Sequence, residues 1–184
     1  EDVRAASNAA ITTTMAAASA AAGSVLRGVI RAHISDTVIH IDAVAVGNGV
    51  LAGLVAITAG CDVISTDLSM VVGVGGMAAH EAGNIFMEYM QLDDIVGAFA
   101  VHGVAGAFGT LAVGLFHPTE GLFLGGGVGL LWTQIVGVFA IAGFTFVTVL
   151  PVALMLNHLG LLRCKPEDEA RGLDCKFGDA ASLY

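Results

Sequence analysis

Five stretches of this 184-residue chain are apolar for long enough to cross, or nearly cross, a lipid bilayer: about residues 7–30, 44–60, 68–89, 95–116 and 122–156. Crossing roughly 30 Å of hydrocarbon takes about 20 helical residues. Inside hydrocarbon every backbone N–H and C=O must be paired, so only helices and closed barrels span it. A barrel would show segments of about ten residues with in/out alternation, whereas residues 16–22, 51–59 and 136–149 are continuously apolar. The predicted fold class is therefore all-α, a polytopic membrane helix bundle of about five transmembrane helices over residues 1–160, with a polar tail over 161–184. The 56% hydrophobic residues and mean hydropathy of +0.84 fit a lipid environment better than a soluble domain.

The net charge of −9 sits in the loops, at helix ends and in the acidic tail, an arrangement that argues against nucleic acid as a partner. Seven Lys and Arg residues orient the spans. Alternating crossings put Arg27, Arg31, Arg163, Lys165, Arg171 and Lys176 on one side and Arg4 on the other, so the positive-inside rule predicts a multi-pass protein of the cell membrane with a cytoplasmic C-terminus. Cys61, Cys164 and Cys175 show no CxxC spacing and are expected to be reduced thiols. Glu1 follows no initiator Met and opens no basic-apolar-small pattern, so the chain reads as beginning in mid-protein with no signal peptide to remove.

Small residues mark the contact faces. The first span is mostly Ala, Ser and Thr; Gly49 and Gly53, then Gly125 and Gly129, stand at four-residue spacing, and Gly103, Gly106 and Gly109 recur every third residue. Tight helix packing is the favoured reading of most of these glycines. Asp93 and Asp94 begin the fourth span, where carboxylates suit the positive end of a helix dipole. Pro151 predicts a tilt or kink in the long fifth span.

Two features carry chemistry. His102, flanked by Gly103 and small apolar residues, lies eight or nine residues past Asp93 and Asp94, about 12–13 Å into a helix and near the midplane. An ionisable group at that depth marks a substrate or ion path by default, and a neutral imidazole both donates and accepts hydrogen bonds. The alternative is a packed histidine satisfied by a neighbouring helix. The second feature is His80-Glu81, whose string ends in Asn84 where a zinc-protease HExxH has its second histidine. Metalloprotease is rejected on that ground. What remains is a polar pair buried against another helix or subunit, which is favoured, a pore-lining pair, or a proton or metal path with His102. His33, Asp36, His40 and Asp42 share a loop but match no metal spacing. With no phosphate loop, nucleophile elbow or Cys-His pair, no enzyme activity, cofactor or metal is expected.

Residues 49–61, then Asp93-Asp94 through residue 116, and Gly121-Leu122-Phe123-Leu124-Gly125-Gly126-Gly127 resemble the ammonium transporter (Amt) family in sequence and order. The acidic run Glu167-Asp168-Glu169-Ala170-Arg171-Gly172-Leu173-Asp174 resembles, more weakly, the segment that follows the family's last helix. The resemblance implies the second half of an inverted-repeat fold, helices seven to eleven of eleven, whose pore forms between the halves. It implies a homotrimer in the bilayer that conducts ammonium or ammonia, and a tail that can meet a PII-type regulatory protein. His102 matches the second of the family's paired pore histidines, past which ammonia crosses while its proton is relayed separately. The alternative is a truncated, non-conducting homologue that acts as an assembly or regulatory subunit. His80-Glu81 departs from a usually apolar position, and Lys176-Phe177-Gly178-Asp179 from a common histidine-glycine pair.

Overall fold

The computed structural model describes residues 2–39 and 41–171; His40, Cys175 and the departure at Lys176 lie outside them. The described residues fall into two compact units that divide inside the longest apolar stretch, after Val138. Every regular element among them is helical.

The first unit opens on α1 (Asp2–Ile34), a 33-residue helix whose Ala, Ser and Thr side chains present almost no bulk. Asp42 then caps α2 (Ala43–Thr58), its Oδ1 accepting from the Val44 N–H at 2.8 Å. That capping contact explains one member of the loop group His33, Asp36, His40 and Asp42. Among the described residues no three His, Cys, Asp or Glu side chains gather as a metal would require. A turn through Cys61 and Asp62 leads to α3 (Thr66–Tyr89), which ends at the loop carrying Asp93 and Asp94. A π-helical turn, Phe99–Val104, continues into α4 (Ala105–Phe116), and a short 3₁₀ turn at Leu122–Leu124 precedes α5 (Gly129–His158).

Helices α1, α2 and α3 pack on one another, and α4 packs against α2 and α3. The core between them is small-residue and aliphatic, built on Ala16, Ala56, Ile57, Ile64, Val72 and Ala112. Glycines set how near the backbones come. A Cβ on Gly109 would fall on the Ala56 carbonyl of α2, and one on Gly73 would fall on the Ala16 carbonyl of α1, so neither position tolerates a side chain without separating its helices. Hydroxyl and amide groups then bond across the crossings. Thr12 donates to the Cys61 carbonyl at 2.6 Å, Asn8 to the Asp62 carbonyl at 3.0 Å, and Ser19 to the Met70 carbonyl at 2.9 Å.

The second unit takes the remainder of α5 and α6 (Pro166–Arg171). Helix α5 contains no charged residue, and its helical assignment continues through Pro151 to His158. A helix that is apolar all round needs a lipid or protein environment on every side. Among the described residues three helices, Val3–Ile34, Phe99–Phe116 and Gly129–His158, are long and apolar enough to cross a membrane by length and composition; α2 is apolar but shorter. Helix α3 falls outside that set because Asp67, His80, Glu81, Asn84 and Glu88 interrupt its apolar surface.

Helix α1 runs beyond the expected residues 7–30 at both ends, and two further boundaries differ from the sequence-based expectation for a glycine-borne reason. The fifth helix begins at Gly129 rather than at residue 122, because Gly125 (φ +94°) and Gly127 (φ +81°) adopt left-handed backbone and break the chain out of the preceding turn. Gly125 is thus a loop glycine and not part of a packing seam. The fourth helix begins at Ala98 rather than at 95, because Gly97 (φ +71°) closes a turn on Asp94.

Candidate functional site

Asp94 organises the start of the helix that carries His102. Its Oδ1 accepts from the Ala98 N–H at 2.8 Å, and its Oδ2 from Phe99 and Ala100 at 2.9 and 3.3 Å, so one carboxylate satisfies three amide donors that have no intrahelical partner. The capping expected at this helix start is therefore supplied by Asp94, while Asp93 lines a neighbouring cavity. Replacing Asp94 with alanine is expected to cost about 1–2 kcal/mol of stability and to speed hydrogen exchange at the amides of Ala98–Ala100. Mass-spectrometric exchange in detergent checks this, and unchanged protection of that segment would contradict it.

Beyond the cap the chain makes a π-helical turn, in which the Ala105 N–H bonds to the Ala100 carbonyl, five residues back. Such turns are rare and recur at functional sites. Here the turn separates two faces. Ala100 and Val101 point into the bundle, where Gly83 of α3 lets the backbones meet: a Cβ there would lie 3.0 Å from Ala100 Cα and 3.1 Å from Val104 Cγ2. His102 and Gly103 face the other way and are exposed. The Phe99 ring lies against Gly103, 6.3 Å from the Phe86 ring.

The helix start at Ala98 changes how far along its helix His102 lies. Measured from Ala98, the ring is one helical turn into its helix, about 6 Å, and α2 and α3 cover the opposite face of that turn. The imidazole makes no hydrogen bond or ion pair among the described residues. It is exposed, as is its neighbour Gly103, and able to donate and accept there.

His80 and Glu81 lie in a second cluster, built from α1, α2, α3 and the segment before α4. The His80 side chain is 2% exposed, and its Nε2 lies 3.1 Å from Asn84 Nδ2, one turn along α3. Glu81 pairs with Arg27 of α1, 2.5 Å between Oε2 and a guanidinium nitrogen. Asn48 of α2 donates to the Val96 carbonyl at 3.3 Å, and a Cβ on Gly97 would approach Asn48 and His80 Nε2. The cluster thus touches the root of the His102 helix, although no bond links it to His102 itself. A cavity of about 540 Å³ opens beside it, lined by Arg27, Arg31, Glu81, Asn84, Glu88, Asp93 and Asp94 among others.

The sequence reasoning used Arg27 only as an orienting charge and Asn84 only as the residue that breaks the HExxH string, and neither they nor Asn48 were read as site residues. For Asn84 a signal existed, since it stands four residues after His80, the spacing at which helical side chains meet. Arg27 carried none, because its partner lies two helices further along the chain. Of the cysteines, Cys61 and Cys164 are free thiols.

The family model described as Ammonium Transporter Family matches residues 1–182. The chain is 35% identical over 159 residues to Ammonium transporter 1 member 2 of Oryza sativa subsp. japonica, covering 79% of this chain and 32% of that protein. It is 32% identical over 180 residues to Ammonium transporter 1 member 1 of Solanum lycopersicum, covering 90% and 36%. The chain therefore spans about a third of the length of these relatives. Among solved structures it matches a Sensor Amt Protein with a TM-score of 0.76 and 33% identity, covering 91% of this chain and 41% of that one. The fold is also that of Candida albicans Mep2, at a TM-score of 0.76 and 21% identity over 89% of this chain and 38% of that one.

Proposed function

The chain belongs to the ammonium transporter family, and on that premise we propose that it is the C-terminal half of an ammonium-conducting unit, completed by helices that a longer parent or a second chain supplies. The observation that carries this reading is the orientation of His102. A pore built between two halves needs each half to present its polar group outward, toward its counterpart, and His102 is exposed on the face of its turn away from the buried Ala100 and Val101.

In this reading the imidazole is a neutral partner for a small hydrogen-bonding permeant. A histidine nitrogen accepts from ammonia's N–H while the other donates, so the permeant loses its hydration without losing all its hydrogen bonds, and the same ring can hand on a proton. The surrounding apolar residues keep charge out, since an ion in that setting is costly. Three copies in the bilayer, a cytoplasmic tail and contact of that tail with a PII-type regulator follow from the family resemblance and the loop charges, and belong to the same proposal.

Reconstitution separates this reading from that of a non-conducting subunit. Proteoliposomes that hold this chain alone are expected to give no ammonium-evoked current, and those that also hold the complementary half of a parent transporter are expected to give one. If the pair stays silent although the two halves copurify, the conducting role fails and the assembly role stands.

A further inference from the structure

The first unit holds a second cavity, of about 520 Å³, where the end of α1 meets the loop before α2. That volume is in the range of small-molecule sites, about 300–1,000 Å³. The space is open: Gly28, on its wall, has nothing within 4 Å of its Cβ position. Two opposite charges line the cavity without pairing. Arg31, exposed in the last turn of α1, makes no hydrogen bond or ion pair among the described residues. Asp42 accepts from the Val44 N–H through Oδ1, and its Oδ2 has no partner among them. Arg27 lines the cavity too but is held by Glu81, so Arg31 is the cation available to a ligand there.

The stretch of α1 that is apolar enough to span, Val3–Ile34, has 32 residues, about 48 Å at 1.5 Å per residue, against about 30 Å of hydrocarbon. Arginines anchor the ends of such helices at the level of lipid headgroups. Apolar side chains stand beside the charges, since Val38 and Ile41 line the same cavity and are 90% and 51% exposed. The helix dipole accounts for an arginine in the last turn. It accounts neither for an acid on the wall of the same cavity nor for the bare apolar residues next to both.

We propose that this cavity receives the headgroup of a phospholipid that carries a primary ammonium, as phosphatidylethanolamine does. A phosphodiester bears one negative charge, which one arginine matches with its fork of N–H donors. The ammonium donates to Asp42 Oδ2, because a carboxylate only accepts. Ser35, also on the cavity wall, offers a hydroxyl to a remaining phosphate oxygen. Val38 and Ile41 then lie against the glycerol and first acyl carbons, which a soluble phosphoamine lacks. A choline headgroup has no N–H to give, and a purely anionic headgroup would set a like charge against Asp42. None of this depends on the role of His102.

The test titrates the full chain in detergent with phosphatidylethanolamine, phosphatidylcholine or phosphatidylglycerol of identical acyl chains, and native mass spectrometry counts the bound lipid. Phosphatidylethanolamine is expected to bind the wild-type chain about two- to fivefold more tightly than either other lipid, the range of an exposed ion pair. Arg31→Gln is expected to weaken phosphatidylethanolamine by a similar factor. Asp42→Asn is expected to bring it level with phosphatidylcholine while α2 keeps its cap, since Asn and Asp cap equally well. Glycerophosphoethanolamine, the headgroup without chains, is expected not to displace the lipid at equal concentration. Equal binding of the three lipids, tighter binding of phosphatidylglycerol, a preference that survives in Asp42→Asn, or displacement by the free headgroup would each overturn the proposal. The comparison of lipids on the wild-type chain needs no variant to fold.

Discussion

Ammonium-evoked current is expected to fall about ten- to hundredfold when His102 becomes leucine in the completed transporter. Leucine keeps much of the side-chain volume and removes both hydrogen-bonding atoms. A permeant in an apolar passage then loses a bond worth about 1–3 kcal/mol, and each 1.4 kcal/mol on a barrier is a factor of ten. Glutamine, which both donates and accepts, is expected to retain more current than leucine. Solid-supported membrane recordings on proteoliposomes with matched protein content check the order wild type, then glutamine, then leucine. Equal currents in wild type and leucine would remove His102 from the path. The exposed position of the ring on its own unit means that leucine should disturb the packing of α1–α4 little, so a loss of current would report on conduction and not on folding.

The largest effect on stability is expected at the crossing of α1 and α3. A Cβ on Gly73 falls on the Ala16 carbonyl and beside Ser19 Oγ, and that hydroxyl donates to the Met70 carbonyl at 2.9 Å. Valine there must push the two helices apart, which strains the crossing and breaks the Ser19 bond. Overpacking costs about 1–3 kcal/mol and an interhelical bond in lipid roughly 0.6 kcal/mol or more, so a total near 2–4 kcal/mol is expected. Gly28, in the same helix as Ser19, has nothing within 4 Å of its Cβ position, and Gly28→Ala should leave stability unchanged or raise it slightly through helix propensity. Thermal unfolding in detergent compares the two, and similar melting of Gly73→Val and Gly28→Ala would refute the close approach.

The seams were partly legible beforehand. Gly49, Gly53 and Gly109 stood in small-residue patterns, and each lies at a close approach. Gly73 and Gly76 also pack on backbone, but a glycine-rich string such as Val72-Gly73-Val74-Gly75-Gly76 has no single spacing that marks them. Gly125 belonged to a pattern of the right spacing and serves a loop instead. Spacing along one helix says which residues share a face, and nothing about whether a second backbone arrives there.

The site divides in the same way. His102, His80 and Glu81 drew attention because ionisable groups are expensive in an apolar segment, and that cost is a property of the residue and its neighbours in sequence. The direction each one faces was not available. His102 was expected deep in its helix and stands one turn past Ala98, since the positive φ of Gly97 and the grip of Asp94 on three amides decide where that helix starts.

What the amino-acid sequence determined alone was the helical class, the five apolar stretches and the identity of the few ionisable groups within them, because a bilayer forces each apolar segment to satisfy its own backbone and so makes the outcome local. Tertiary structure alone decided that Glu81 meets Arg27, that His80 keeps one nitrogen unpaired while His102 turns outward, and which glycines are touched by another backbone. These depend on the rotation of each helix about its axis and on which distant segment packs against it, and hydropathy along a single chain carries no record of either.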